Sequence, residues 1–66
     1  MATKQQRQFL KDNLNNKIII RNELDEKQVY IYFSNQYDNG YYRLGEINQV
    51  IEAIKNKSSW IKEYIK

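Results

Sequence analysis

The sequence predicts an α+β fold: an N-terminal helix, a three-stranded antiparallel meander, and a long C-terminal helix packed on one face of the sheet. Three observations carry this expectation. Thr3 followed by Gln6 is the pattern of a capping box, in which two orphan groups at a helix start satisfy each other. Gln28 to Ser34 alternates Val29, Ile31 and Phe33 with Tyr30 and Tyr32, the period of a strand. Ile47, Val50, Ile51 and Ile54 recur at i, i+3, i+4, i+7, the stripe of an amphipathic helix. With 66 residues the chain is long enough for a single small domain, residues 1–66, and no more.

The first helix is expected over Lys4 to Asn15. Its apolar residues are few (Phe9, Leu10, Leu14), while Lys4, Arg7 and Lys11 line a neighbouring face. The Asn13-Leu14-Asn15-Asn16 segment ends it, because Asn favours turns and left-handed caps. Lys17 to Asn22, rich in β-branched Ile18, Ile19 and Ile20, reads as the first strand, and Glu23 to Lys27 as a charged turn. Asp38-Asn39-Gly40 is a strong hairpin signal, since a type I′ turn needs positive φ at both central residues. Centring the turn on Asn39-Gly40 pairs Tyr37 with Tyr42 and Asn35 with Leu44. One face then carries Val29, Ile31, Phe33, Tyr42 and Leu44, joined by Ile18 and Ile20 if the first turn holds an even number of residues. The other carries Ile19, Arg21, Tyr30, Tyr32, Tyr41 and Arg43.

The helical phase that begins at Ile47 continues through Ser58, Ile61 and Ile65, with Trp60 and Tyr64 beside it. This favours one helix from Ile47 to the end; the rival is a break at Asn56–Ser59, with Ser58 or Ser59 capping a short last helix. A helix of about twenty residues is roughly 30 Å long, whereas a six-residue strand spans about 20 Å. The overhang would leave Trp60, Ile61, Tyr64 and Ile65 without a partner in the chain. Such a surface suggests pairing with a second copy, and domains this small often need oligomerisation for stability. A homodimer is therefore expected.

Composition narrows the function classes. The chain has no Cys and no His, which removes disulfides, thiolate metal sites and the commonest general base. Ser34, Ser58 and Ser59 have no adjacent base, and Asp25 and Glu26 lie together in a charged turn. Asn35 to Glu46 places Asn39, Gly40 and Glu46 at calcium-loop positions, but the first and third positions lack Asp, and a hairpin explains the segment better. No enzymatic activity, metal or cofactor is expected. Net charge is +3 and spread along the chain, unlike the basic stripe of a dedicated nucleic-acid binder. No secretory signal and no membrane-spanning run is evident, and the lack of Cys fits a reducing cytoplasm. Asn, Ile, Lys and Tyr make up 31 of 66 residues. All four have A/T-rich codons, as in the short accessory genes of bacteriophages and mobile elements.

Arg21, Tyr30, Tyr32, Tyr41 and Arg43 form the candidate binding face. Tyr and Arg are favoured at protein interfaces, and aromatic rings with cations also hold single-stranded nucleic acids. The bland alternative is that the first helix covers this face with Phe9, Leu10 and Leu14. The strand–strand–strand–helix order, with Tyr42-Arg43-Leu44-Gly45-Glu46-Ile47 leading into Ala53, resembles the small DNA-binding arm domain of tyrosine recombinases, in which a three-stranded sheet enters the major groove. That family's many strand lysines and arginines are missing here. The helix–three-strand–helix order also resembles double-stranded-RNA-binding domains. Their basic cluster at the start of the last helix is replaced by Gly45-Glu46-Ile47-Asn48-Gln49. Neither family is assigned. The expected role is binding to a host protein or complex, which the chain inhibits or redirects; the alternative is a small DNA- or RNA-binding domain.

Overall fold

The computed structural model describes residues 2–66. Helix α1 spans Lys4–Asn13. The capping box forms: Gln6 N–H donates to Thr3 Oγ1 at 3.0 Å and Thr3 N–H to Gln6 Oε1 at 3.1 Å. The helix stops two residues before the expected Asn15. Leu14 is already extended, and Asn15 donates from its backbone to Tyr64 O (2.8 Å) and from its side chain to Ile65 O (3.1 Å). A tertiary contact ends α1, in place of the local Asn preference.

Strands β1 (Ile18–Glu23), β2 (Glu26–Ser34) and β3 (Asn39–Glu46) form an antiparallel sheet in the order β1-β2-β3. The first turn is the two-residue Leu24–Asp25, with φ of 51° and 62°, not the longer charged turn expected. Positive φ at both central positions is the type I′ pattern, adopted here without glycine. The second turn also differs from expectation. Asn39 and Gly40 belong to β3, and the loop is 35–38, where the Asn35 carboxamide accepts from Tyr37 N–H (2.8 Å) and Asp38 N–H (3.0 Å). Such Asx turns replace the backbone turn. The register is Tyr32↔Tyr41 and Ile31↔Tyr42, not Tyr37 with Tyr42. A turn centred on Asn39-Gly40 would set β3 against residues 33–38 and leave Val29 to Ile31 unpaired on that side. The observed register gives the central strand two neighbours along its length.

The two faces nevertheless fall as the alternation predicts. From Tyr30 to Ser34 the register differs from the expected one by an even step, and only an odd step exchanges faces. Ile18 and Ile20 join Val29, Ile31 and Phe33 on the inner side, since Ile18 pairs with Ile31 and Ile20 with Val29. Between Val29 and Tyr30 the register shifts, because Leu44 is an extra residue on β3. The next residue, Gly45, has φ of 149°, a conformation open to glycine, and this bulge turns β3 into the following helix.

Helix α2 covers Ile47–Lys55. Glu46 caps it, its carboxylate accepting from Asn48 N–H (2.9 Å) and Gln49 N–H (3.2 Å), where the helix dipole favours negative charge. Ile47, Val50, Ala53 and Ile54 are buried. Leu10 and Leu14 of the α1 segment enter the same core as Val29 and Ile31. Both helices therefore lie on the inner side of the sheet.

The long C-terminal helix is not formed; the chain breaks at the rival position. Neither Ser58 nor Ser59 caps the short 3-10 turn that follows, which starts after Ile61 with no side-chain cap. Lys57 adopts φ of 54°, Ser58 N–H bonds Ala53 O (2.9 Å) and Lys57 N–H bonds Ile54 O (3.2 Å). This is a Schellman ending with Lys where Gly is usual. Nine residues of helix run about 14 Å, short enough to stay on the sheet. The remaining chain folds back through a 3-10 turn at Lys62–Tyr64 to a bridge between Leu14 and Ile65, and Lys66 N–H bonds Asn13 O at 2.9 Å. Folding back buries Ile61 and half-buries Tyr64 and Ile65, and leaves Trp60 exposed. Lys57→Gly should raise stability by about 1 kcal/mol in urea unfolding, by relieving the left-handed strain.

Candidate interaction face

Among the described residues, no helix covers the outer side of the sheet, which the pairing arranges in rows. Lys17, Tyr32 and Tyr41 lie abreast, then Ile19, Tyr30 and Arg43, then Arg21 and Gln28, then Glu23 and Glu26. Arg21, Tyr30, Tyr32, Tyr41 and Arg43 thus share one surface. Phe9, Leu10 and Leu14 pack on the opposite side of the sheet, so the covered alternative does not hold.

The surface is ordered by its own hydrogen bonds. The Tyr30 hydroxyl donates to Glu23 Oε1 at 2.7 Å. The Arg21 guanidinium sits 5.7 Å from the centre of the Tyr30 ring and its Nε is 4.0 Å from Glu23 Oε1. That exposed ion pair contributes little energy. Arg43 Nε donates to Gln28 Oε1 at 2.9 Å, and Gln28 Nε2 donates to Glu26 Oε2 at 3.1 Å. Gln28 is buried, so it anchors the Arg43 side chain from below. Tyr32 and Tyr41 meet edge to face, 5.5 Å between centroids at 66°. Glu23, Glu26 and Gln28 were not among the candidates. Gln28 joins the face by the alternation of β2, which it shares with Tyr30 and Tyr32; Glu23 and Glu26 join it only once the two-residue turn at Leu24–Asp25 is known.

The Tyr30 phenol titrates above its ordinary 10.0. The hydrogen bond to Glu23 is the largest cause, followed by desolvation and the Glu23 charge; Arg21 and Arg43 pull the other way. A raised folded value means the protonated phenol is favoured by folding. Its contribution to stability is complete below pH 10.0 and is lost as pH rises through the shifted value. Glu23→Gln should move the Tyr30 titration, followed by NMR of the ring carbon bearing the hydroxyl, back toward 10.0.

The expected self-association patch is dispersed. Ile61 is fully buried, Tyr64 and Ile65 are half-buried in the chain's own fold, and Trp60 alone is exposed, at 48%. The Tyr64 ring stacks on Tyr42, 6.4 Å between centroids. The overhang that motivated a second copy there does not exist. The fold-back creates a feature invisible in the linear sequence: Lys57, Lys62 and Lys66 line a shallow cavity of about 300 Å³ with Asn13, Ile54 and Ile65. These lysines lie near the C-terminal ends of both helices, where cations offset the dipoles.

In the segment tested for a calcium loop, Asn39 and Gly40 are strand residues and the Glu46 carboxylate is engaged with α2. Among the described residues, no three His, Cys, Asp or Glu come together, and no helix is long and apolar enough to cross a membrane. No family model matches the chain, and comparison with curated proteins and with solved structures finds no match either.

Proposed function

We propose that the chain is a non-catalytic protein-binding module whose open sheet face docks on a host protein or complex, in the manner of a phage or mobile-element factor that inhibits or redirects its target. The observation that carries this reading is the uncovered, internally hydrogen-bonded surface of Arg21, Tyr30, Tyr32, Tyr41 and Arg43. Side chains already held in place lose less entropy on binding, and Tyr and Arg are the usual anchors of protein interfaces. The excess of Asn, Ile, Lys and Tyr, residues with A/T-rich codons, supports a mobile-element origin by association.

The tyrosines also suit a nucleic-acid platform, which is the second reading. Two features weigh against it. Glu23 and Glu26 stand on the same face and repel phosphates. The edge-to-face contact of Tyr32 and Tyr41 also occupies one ring face that a base would need for stacking. Fluorescence anisotropy with labelled single-stranded and duplex oligonucleotides separates the readings. The protein-binding reading expects no saturable binding at physiological salt. Affinity that falls steeply with salt and is lost in Arg43→Ala would establish the nucleic-acid reading instead.

A further inference from the structure

Strand β1 is an edge of the sheet, and among the described residues its outward backbone groups have no backbone partner. Tyr32 N–H donates to Lys17 O at 2.8 Å, and an antiparallel ladder exchanges bonds at every second residue. Lys17, Ile19, Arg21 and Glu23 therefore turn their amides toward β2, and Ile18, Ile20 and Asn22 turn theirs away. Among the described residues, no backbone bond from another segment reaches those three.

Proteins usually blunt such an edge with a bulge, a proline or a covering segment. The other edge, β3, has its bulge at Leu44 and the Tyr64 ring stacked on Tyr42. Among the described residues, β1 has no bulge, no proline and no backbone bond from a covering segment. The charges on and beside it, another common guard, are of both signs (Lys17, Arg21, Glu23), and its register with β2 is unbroken from Ile18 to Glu23. Three consecutive isoleucines make it a straight β-forming template.

The strand is also self-complementary. Two antiparallel copies related by a two-fold axis normal to the sheet must pair their outward amides with each other. This allows registers centred on Ile19, Ile20 or Arg21. Centring on Ile19 sets Lys17 against the partner's Arg21, and centring on Arg21 sets two guanidiniums face to face; like charges directly opposite are destabilising. Centring on Ile20 sets Lys17 against the partner's Glu23, twice by symmetry. It also pairs Ile18 with the partner's Asn22 and Ile19 with the partner's Arg21.

We propose that the chain forms a two-fold dimer through antiparallel pairing of β1 with β1 of a second copy, in the register centred on Ile20. Side chains directly opposite one another share a face, so the two open faces come to lie on the same side of one doubled sheet. The dimer stands independently of whether that face binds a partner.

Sedimentation equilibrium of the full chain from about 10 to about 500 μM, a range suited to weak interfaces, tests it. The mass should rise from 8.1 kDa toward twice that value. Ile20→Pro removes an outward N–H that the chain's own sheet does not use, a position where an edge strand tolerates proline. It should leave a folded monomer by circular dichroism. Lys17→Glu should weaken the dimer about tenfold, and Lys17→Glu/Glu23→Lys should recover most of the loss. Should Ile20→Pro fail to fold, the charge variants decide alone. A monomer at every concentration, a dimer that survives folded Ile20→Pro, or one indifferent to Lys17→Glu overturns the proposal.

Discussion

Ile61→Ala is expected to lower the unfolding free energy by about 2–4 kcal/mol. A domain of 66 residues has a total of roughly 3–10 kcal/mol, so this one truncation removes a large share. Ile61 is 0% exposed and belongs to the same core as Leu10, Leu14 and Val50. It arrives there from beyond the end of α2, on a segment held by the Leu14–Ile65 bridge and by Asn15 N–H to Tyr64 O. The last residues are therefore a wall of the core. Trp60→Ala, one position away but half-exposed, should cost less than about 1 kcal/mol. Urea unfolding of both variants, read by far-ultraviolet circular dichroism, checks the contrast. Equal, small losses for the two would mean that the segment stands off the core.

Loss of the partner without loss of the fold is the expected result for Tyr32→Ala and Arg43→Ala. Each should weaken binding by about 2 kcal/mol or more, some thirtyfold. Both side chains project from strand positions whose backbone pairing is untouched, and neither belongs to the buried core. Stability should fall by no more than about 1 kcal/mol, the range of a cross-strand pair on an open face. Arg43→Lys distinguishes charge from geometry. A lysine keeps the positive charge but loses the planar fork that donates to Gln28, so a geometric role predicts that it resembles Arg43→Ala. The readout is retention of a binding protein on immobilised wild-type chain, compared with each variant at matched loading. A partner held equally by wild type and both variants would remove the sheet face from the account.

Much of this fold is legible in the sequence, and the reasons differ by element. The Thr3–Gln6 box and the Ile47–Ile54 stripe are local signals that survive because the rest of the chain agrees with them. The division of the sheet into two faces needs only the parity of the pairing, so it holds although both turns differ from expectation. The turns are less legible because the strongest local signal, Asn39-Gly40, is overruled by the pairing of β3 along Gln28 to Ser34. Leu24, 97% exposed with φ of 51°, accepts a conformation that costs an ordinary residue about 1–2 kcal/mol, and no propensity scale would place it there. The helix break fails to announce itself for a similar reason. Ser58, Ile61 and Ile65 keep helical phase, and the left-handed residue is Lys57 where a glycine would have been diagnostic. The five candidate face residues are legible from alternation. Gln28, which accepts from Arg43, shares that alternation; Glu23, which accepts from Tyr30, and Glu26, which accepts from Gln28, are not legible, because their places depend on turn length.

A sheet with helices on one side and an open tyrosine–arginine surface on the other underlies both the core and the proposed binding. Solvent paramagnetic relaxation in NMR, with a neutral gadolinium chelate added to the monomeric protein, measures this directly. The ring protons of Tyr32 and Tyr41 and the side chain of Arg43 should relax strongly, while the methyls of Val29, Ile31, Leu10 and Ile61 remain protected. Protected Tyr32 and Tyr41 rings, or strongly relaxed Val29 and Ile31 methyls, would contradict it.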